Sequence, residues 1–245
     1  MSKCFYLLST LILTISLITG GCWNRREPEQ MAHVIALGFD YVEESSQYKV
    51  IAQITNPAAI SGGATGGGGG SGKAAPFWTI SALGHTPFEA VRDLAKESTR
   101  QMFFAHTGVY LFSEELARKG LNPVFDLLER GSQMRLIGRV AVVREDIELA
   151  MGAEYPLEET GGLGLRRLID LIETERSLFP SRDLREVLIA FAQPGRQMAI
   201  GRLDVKIEEE EESKGTAARG AVEASGAAVF RGDRLVGWFN ERETT

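Results

Sequence analysis

The thiol of Cys22 has the most definite chemistry in this sequence, because it directly follows Gly20 and Gly21. Two glycines before a cysteine offer a signal peptidase a small-residue cleavage site and leave the cysteine at the new N-terminus. This is the arrangement of a bacterial lipobox, in which the cysteine carries a thioether-linked diacylglycerol. A lipobox usually has an aliphatic residue three places before the cysteine, where this sequence has Thr19. We therefore predict lipidation of Cys22, with an ordinary cleaved signal or an uncleaved signal anchor as alternatives.

Other side chains that could do chemistry are few. The two cysteines are Cys4 and Cys22. Cys4 lies in the predicted signal and Cys22 at the lipid site, so the exported body can hold neither a disulfide nor a thiolate metal site. The histidines are His33, His85 and His106, and their separations fit no short metal motif. We predict no catalytic residue, no metal and no cofactor other than the diacylglycerol on Cys22.

Two sequence patterns imitate functional sites. Residues 67–73 fit the phosphate-loop pattern G-x-x-x-x-G-K, but Ala74 stands where a hydroxyl should bind magnesium, and Pro76 follows where a helix should begin. We interpret residues 61–73 as a flexible surface loop, because ordered glycines lose much entropy. The glutamate run in residues 208–214 is self-repelling, which favours a solvated hairpin tip over a cation site.

The segment that positions Cys22 has the layout of a secretory signal. Lys3 supplies the positive charge, and residues 5–18 form an apolar run that is shorter than the roughly 20 residues a membrane-spanning helix needs. We predict a signal peptide over residues 1–21 and a lipidated tether over residues 22–32. Arg25 and Arg26 in this tether would each gain on the order of 1 kcal/mol near an anionic leaflet.

The composition is that of a globular protein. The chain has 245 residues, of which 44% are hydrophobic and 24% are charged, so it can bury one large core or two modest ones. Its formal net charge is -6, and no basic stripe is available to neutralise phosphates. This argues against a nucleic-acid partner and favours protein partners.

Alternating strand and helix patterns predict an α/β domain over residues 33–153, with helices packed against a mixed sheet. Residues 33–41 and 48–55 form an antiparallel pair, and residues 77–83 form the next strand. Thr86 caps a helix that buries Phe88, Val91, Leu94 and Ala95. The remaining elements are a strand region at 103–112, helices from 114 and from 122, and a buried strand at 138–144.

Residues 154–245 are predicted to add a helix pair and antiparallel strands, and to begin a further region. The first helix spans residues 165–178, and the second is capped by Ser181 and ends at Pro194. We expect these helices to be core elements, although they could form a binding face. Long strands at 199–207 and 220–230 flank the glutamate run, and residues 234–239 form a final strand.

Six motifs, taken together and in this order, resemble the Ger(x)C family, the C subunit of nutrient germinant receptors in endospore-forming bacteria. The matching motifs are G-C-W-N-R-R-E at residues 21–27, V-I-A-L-G-F-D at 34–40, G-H-T-P-F-E-A-V-R-D-L at 84–94, R-Q-M-F-F-A-H-T at 100–107, S-E-E-L-A-R-K-G-L at 113–121 and G-A-A-V-F-R-G-D-R-L-V-G at 226–237. Members of the family usually continue into a further C-terminal α/β domain, so we expect this chain to be the N-terminal part of such a protein.

The resemblance implies a non-enzymatic lipoprotein on the outer face of the spore inner membrane. There it would assemble with two integral membrane subunits, A and B, that respond to amino acids, sugars or nucleosides. An alternative is an exported solute-binding lipoprotein or a cell-envelope hydrolase. A hydrolase would need a nucleophile and a base, and His106 and Glu114 are a candidate pair that could lie near one another. Direct nutrient binding by this subunit is a third possibility, for which spacing alone names no pocket.

Overall fold

The computed structural model describes residues 2–18, 30–56, 75–153, 155, 157–158, 160–176, 179–207 and 220–244. The chain divides into two units, Met1–Met31 and Ala32–Thr245. In the first unit, helix α1 covers Ser2–Ile18. The second unit is a sheet domain, and the prediction of an α/β fold with a mixed sheet is confirmed. The loop predicted at 61–73 and the glutamate run in residues 208–214 lie outside the described residues.

The strands are β1 Met31–Val42, β2 Gln47–Thr55, β3 Phe77–Gly84, β4 Gln101–Phe103, β5 Val109–Ser113, β6 Arg139–Val143, β7 Arg182–Asp183, β8 Ala199–Ile207, β9 Gly220–Arg231 and β10 Arg234–Phe239. The helices are α2 Pro87–Glu97, α3 Glu114–Lys119, α4 Asn122–Arg130, α5 Ile147–Gly152, α6 Gly161–Arg176, α7 Leu184–Ala192 and α8 Glu241–Thr244.

The strands form one mixed sheet in the order β10-β9-β8-β6-β5-β1-β2-β3. Its centre is parallel, because β1 pairs with β5, β5 with β6, and β6 with β8 in the same direction. Antiparallel strands flank this centre, with β2 and β3 on one side and β9 and β10 on the other. The short strands β4 and β7 pair with β1 and β6 respectively.

The predicted pairing of the first two strands is confirmed by the register of β1 and β2, which places Tyr41 opposite Tyr48. Helices cover both faces of β2, so the adjacent residues Val50 and Ile51 are both buried. Strands buried on both faces are expected in the middle of an α/β sheet, and they show continuous apolar runs in place of alternation.

One core lies beneath α2, α3, α4 and α7 and contains a row of phenylalanine rings. Successive ring centroids are 5.0 to 5.9 Å apart, in mostly tilted or edge-to-face geometries that suit aromatic pairs. The row runs through Phe39, Phe112, Phe125, Phe191 and Phe230. Because these rings come from β1, β5, α4, α7 and β9, a single packed row joins the early and late parts of the chain.

A second core lies on the opposite face, beneath α5 and α6. Ile147 and Met151 of α5 and Leu165 and Ile169 of α6 are buried there. A Cβ atom on Gly38 of β1 would lie 2.5 Å from the Cγ2 atom of Ile147. The absence of a side chain at position 38 therefore lets α5 pack closely on the sheet.

The sheet domain spans the boundary predicted between residues 153 and 154. Ala32–Thr245 form one compact unit, because β8 continues the parallel centre of the sheet beside β6. The two helices predicted in the later region lie on opposite faces of this sheet, α6 over the second core and α7 over the first. Both therefore have core faces, as expected.

Three local predictions differ from the structure. Helix α2 buries Leu94 as predicted and half-buries Val91, but it also buries Ala90, whereas Phe88 and Ala95 are exposed, because the helix lies against β2 and β3 with its core face rotated from the predicted one. The strand region predicted at 103–112 is interrupted by a turn between β4 and β5. Helix α7 is capped by Asp183 and not by Ser181, since a capping box joins Asp183 and Glu186.

Candidate functional site

Helix α1 is the described part of the predicted signal, and apolar side chains such as Leu7 and Leu13 are exposed along it. The hydroxyls of Thr10 and Thr14 donate to the carbonyls of Tyr6 and Thr10, at 2.7 and 2.8 Å. These polar groups are thus satisfied within the helix. Among the residues that the structure describes, no helix combines the length and the hydropathy needed to cross a membrane.

The predicted lipidation site, Cys22, lies outside the described residues, as do Thr19 and the basic pair Arg25 and Arg26. Lipidation therefore stays a prediction. The described chain resumes at residue 30, and β1 begins at Met31. Any lipid on Cys22 would thus be joined to the sheet domain through the first residue of β1.

The candidate pair His106 and Glu114 does not come together. His106 lies in the turn before β5, and its ring packs against His33 and Phe103, with centroids 5.1 and 5.3 Å away. Glu114 follows β5 and accepts a 2.7 Å hydrogen bond from Nε of Arg118. A five-residue strand separates the two side chains by roughly 16 Å, at 3.3 Å per residue. His106 therefore has an aromatic packing environment and no carboxylate partner from Glu114.

The third histidine, His85, lies in the turn before α2 and is exposed. Its backbone N–H donates to Oε2 of Glu89 at 2.8 Å, while the Glu89 N–H donates to Oγ1 of Thr86 at 3.1 Å. These bonds hold the N-terminus of α2, so the motif around His85 has a capping function. Within the described ranges, no three His, Cys, Asp or Glu side chains are grouped as metal ligands.

A polar cluster joins β8, β9 and β10. Nε of Arg202 donates to Oδ2 of Asp204 at 2.9 Å, and its Nη2 donates to Oγ of Ser225 at 3.1 Å. The guanidiniums of Arg144 and Arg202 lie 5.8 and 5.9 Å from the Trp238 ring. A guanidinium cannot accept a proton, so Arg202 does not activate the Ser225 hydroxyl as a nucleophile. These contacts of Arg202 instead connect β8, β9 and β10.

A buried amide links the two helices of the second core. Gln53 is fully buried on β2, and its Nε2 donates to the carbonyl of Met151 at 2.6 Å, near the end of α5. Its Oε1 accepts from the N–H of Gly162 at 2.7 Å, in the first turn of α6. Both backbone groups lie at helix ends, where they lack helical partners. The sequence offers one signal for this contact, a glutamine within the apolar run of β2.

Two tyrosines with shifted pKa values, Tyr110 and Tyr41, make hydrogen bonds within the fold. Burial raises the pKa of Tyr110 to about 12, and its hydroxyl donates to the carbonyl of Arg135 at 2.9 Å. At the far end of β1, a hydrogen bond with Lys119 lowers the pKa of Tyr41 and raises the pKa of Lys119. Tyr110 therefore stays protonated at neutral pH and cannot act there as a general base.

Comparison with known proteins identifies the family. Residues 24–205 match the family described as "Spore germination protein N-terminal domain". The chain is 29% identical over 252 residues to spore germination protein KC of Bacillus subtilis, an alignment that covers 99% of this chain and 60% of that protein. It is 27% identical over 257 residues to spore germination protein YndF of the same organism, covering 96% of this chain and 59% of that protein.

The chain thus spans about three fifths of the length of these curated relatives. No solved structure matches it. The family match covers residues 24–32 of the predicted tether and the sheet domain as far as Val205 on β8. The resemblance suggested by the sequence motifs is confirmed, and the chain belongs to the Ger(x)C family of spore germination proteins through their N-terminal domain.

Proposed function

We propose that this chain is a lipid-anchored, non-enzymatic subunit of a spore nutrient germinant receptor, which supports receptor assembly and the response to germinants. The observation that carries the proposal is the family match over residues 24–205, which begins two positions after Cys22. A lipid site two positions before the first residue of the matched domain suits a protein whose domain works at a membrane surface. Two acyl chains on one cysteine hold a protein far more firmly than one.

The tether limits how far the sheet domain can move from the bilayer. Met31, where β1 begins, lies nine residue positions after Cys22. Fully extended, they reach about 30 Å, at 3.3 to 3.6 Å per residue. This distance is comparable to the diameter of a small domain. An anchored domain would therefore remain beside the headgroups, within reach of integral membrane partners.

The proposed partners are the A and B membrane subunits of the receptor, on the outer face of the spore inner membrane. A role in assembly agrees with the side-chain chemistry of the described residues. Ser225 is bonded to an arginine and an aspartate in place of a histidine base, and His106 has aromatic neighbours. The expected test of partnership is co-purification of tagged A and B subunits with this chain from detergent extracts of spore membranes. Recovery of the chain without either subunit would contradict the proposal.

Replacement of Cys22 tests the anchor. We expect Cys22→Ala to move the chain from the membrane fraction to the aqueous fraction and to abolish incorporation of a labelled fatty acid. The matched control is Cys4→Ala, which alters the other cysteine and should leave both measurements unchanged, because residue 4 is removed with the signal peptide. Unchanged membrane retention of the Cys22→Ala protein would refute lipid anchoring and support an uncleaved signal anchor.

A further inference from the structure

The two outer edges of the sheet differ in how well they are protected. At one edge, β10 carries Arg234 and a register shift between Leu235 and Gly237, and α8 follows it directly. At the other edge, β3 has the sequence F-W-T-I-S-A-L-G, which contains no charged residue and no proline. Edge strands of monomers are usually protected by charges, prolines, bulges or a covering element. β10 has three such features, whereas β3 has none within the strand.

The exposed groups of β3 favour pairing with another strand. Trp78 is 50% exposed and Leu83 is 44% exposed. Among the residues that the structure describes, β2 alone pairs with β3, so one side of this eight-residue strand presents unpaired N–H and C=O groups. Such an uncharged, apolar edge is a template for β-strand addition.

A cavity of about 490 Å³ lies beside this edge. Its lining residues come from β3, from α2 and from the ends of β1 and β2, and they are Val42, Lys49, Ser81, Ala82, Leu83, Asp93, Lys96 and Glu97. Ala82 lies on the same face of β3 as Trp78, because side chains two or four positions apart on a strand share a face. Cavities of this size hold whole small-molecule ligands, so an indole ring would fit.

We propose that this edge binds a second copy of the same chain, through antiparallel pairing of the two β3 strands about a two-fold axis at Ile80. In such a pairing each face of the sheet continues across the interface, so opposite residues must be an even number of positions apart. The register centred on Ile80 places Trp78 of each copy opposite Ala82 of the other. The exposed indole of one copy then enters the cavity beside Ala82 of its partner, and this contact occurs twice.

The same register also pairs compatible side chains on the other face of the strand. It places Phe77 opposite Leu83 of the second copy, which covers the second exposed apolar side chain, and Thr79 opposite Ser81. Charge does not oppose the contact, because the strand is uncharged and the cavity lining has two lysines, Lys49 and Lys96, and two acids, Asp93 and Glu97. A second copy is therefore complementary to this edge in shape and compatible with it in charge.

The oligomeric state tests the proposal. The test protein is residues 24–245, which contain both cores in full. Light scattering at about 100 µM should give twice the monomer mass. Trp78→Arg should raise the dissociation constant at least about 30-fold, as expected for a central aromatic contact. The matched control is Val236→Arg on the opposite edge, where the native side chain is 52% exposed, and it should remain dimeric. A monomeric native protein, or a dimer insensitive to Trp78→Arg, would overturn the proposal.

Disulfide trapping tests the register, because residues 24–245 contain no cysteine. Opposite residues in an antiparallel pair have Cα atoms close enough for a disulfide. Thr79→Cys combined with Ser81→Cys should give a covalent dimer when oxidised glutathione accepts the two electrons of each thiol pair. The matched control combines Thr79→Cys with Leu83→Cys, which are opposite each other only if the register is shifted by two. Trapping of the control pair in preference to the first pair would refute the axis at Ile80.

Discussion

Replacement of Gln53 by leucine should destabilise the sheet domain strongly, although the side chain lies in a region with no proposed chemistry. The native amide is fully buried and makes two short hydrogen bonds, to the carbonyl of Met151 and from the N–H of Gly162. Gln53→Leu removes both bonds and leaves both backbone groups buried. A buried polar group without a partner costs about 1 to 3 kcal/mol. Two such groups, less the gain from burying leucine, predict a loss of about 2 to 5 kcal/mol.

The assay is urea unfolding of residues 24–245 at pH 7, followed by near-UV circular dichroism. The matched control is Gln197→Leu, because Oε1 of Gln197 also accepts from a backbone N–H, that of Gly232 at 3.0 Å. Gln197 is exposed, so water can replace it, and we expect a loss below about 0.5 kcal/mol. The reasoning is refuted if Gln53→Leu and Gln197→Leu cost the same.

A second substitution at the same position makes the effect depend on pH. In Gln53→Glu, the protonated carboxyl can still donate to the Met151 carbonyl and accept from Gly162. The ionised carboxylate has no proton to donate and is buried, so the fold should raise the pKa of the introduced group above its unfolded value of about 4.3. Its contribution to stability is therefore present below about pH 4 and is lost as the pH rises through the folded pKa. A loss of stability that does not change with pH would contradict this assignment.

Two further predictions concern local features of the fold. Asp183→Ala should lower the free energy of unfolding by about 1 kcal/mol, because it removes the cap of α7. Ser181→Ala should be near neutral, because the Ser181 hydroxyl has no hydrogen-bond partner in the described structure. Equal losses for the two variants in urea unfolding would contradict the cap assignment. The native protein should lose stability as the pH rises from 10 to about 12, because the pKa of Tyr110 is raised to about 12 in the fold and unfolding lets its phenol ionise. Tyr110→Phe should remove that part of the alkaline loss, and an unchanged alkaline profile would refute the assignment to Tyr110.

Local signals in the sequence predicted much of the fold. The cap at Thr86 acts over a few residues, so its position could be found without knowledge of the tertiary structure. The strand pair β1 and β2 was predictable for the same reason, since a short turn joins two β-branched runs. The motifs around residues 21–27 and 84–94 also carried enough information to indicate the family.

Prediction from the sequence was wrong for features that depend on which strands or side chains contact a helix. Phe88 has the spacing of a core residue, yet it is exposed because α2 packs through Ala90 and Leu94. The helix periodicity was correct, but the direction of the core relative to α2 is set by β2 and β3. Serine is a common capping residue, so Ser181 was a reasonable choice. Asp183 lies two residues later and has a glutamate at the correct spacing to close the capping box.

The sequence by itself determined where most strands and helices begin, which family the chain belongs to, and that Cys22 is the residue to test for a lipid. Only the tertiary structure decided that the late strands complete a single sheet, that Gln53 joins the ends of α5 and α6, and that β3 pairs with β2 alone among the described residues. The physical reason is distance along the chain. The two hydrogen bonds of Gln53 join residues 98 and 109 positions apart. Whether a strand lies at the edge depends on the order of all the strands in the sheet.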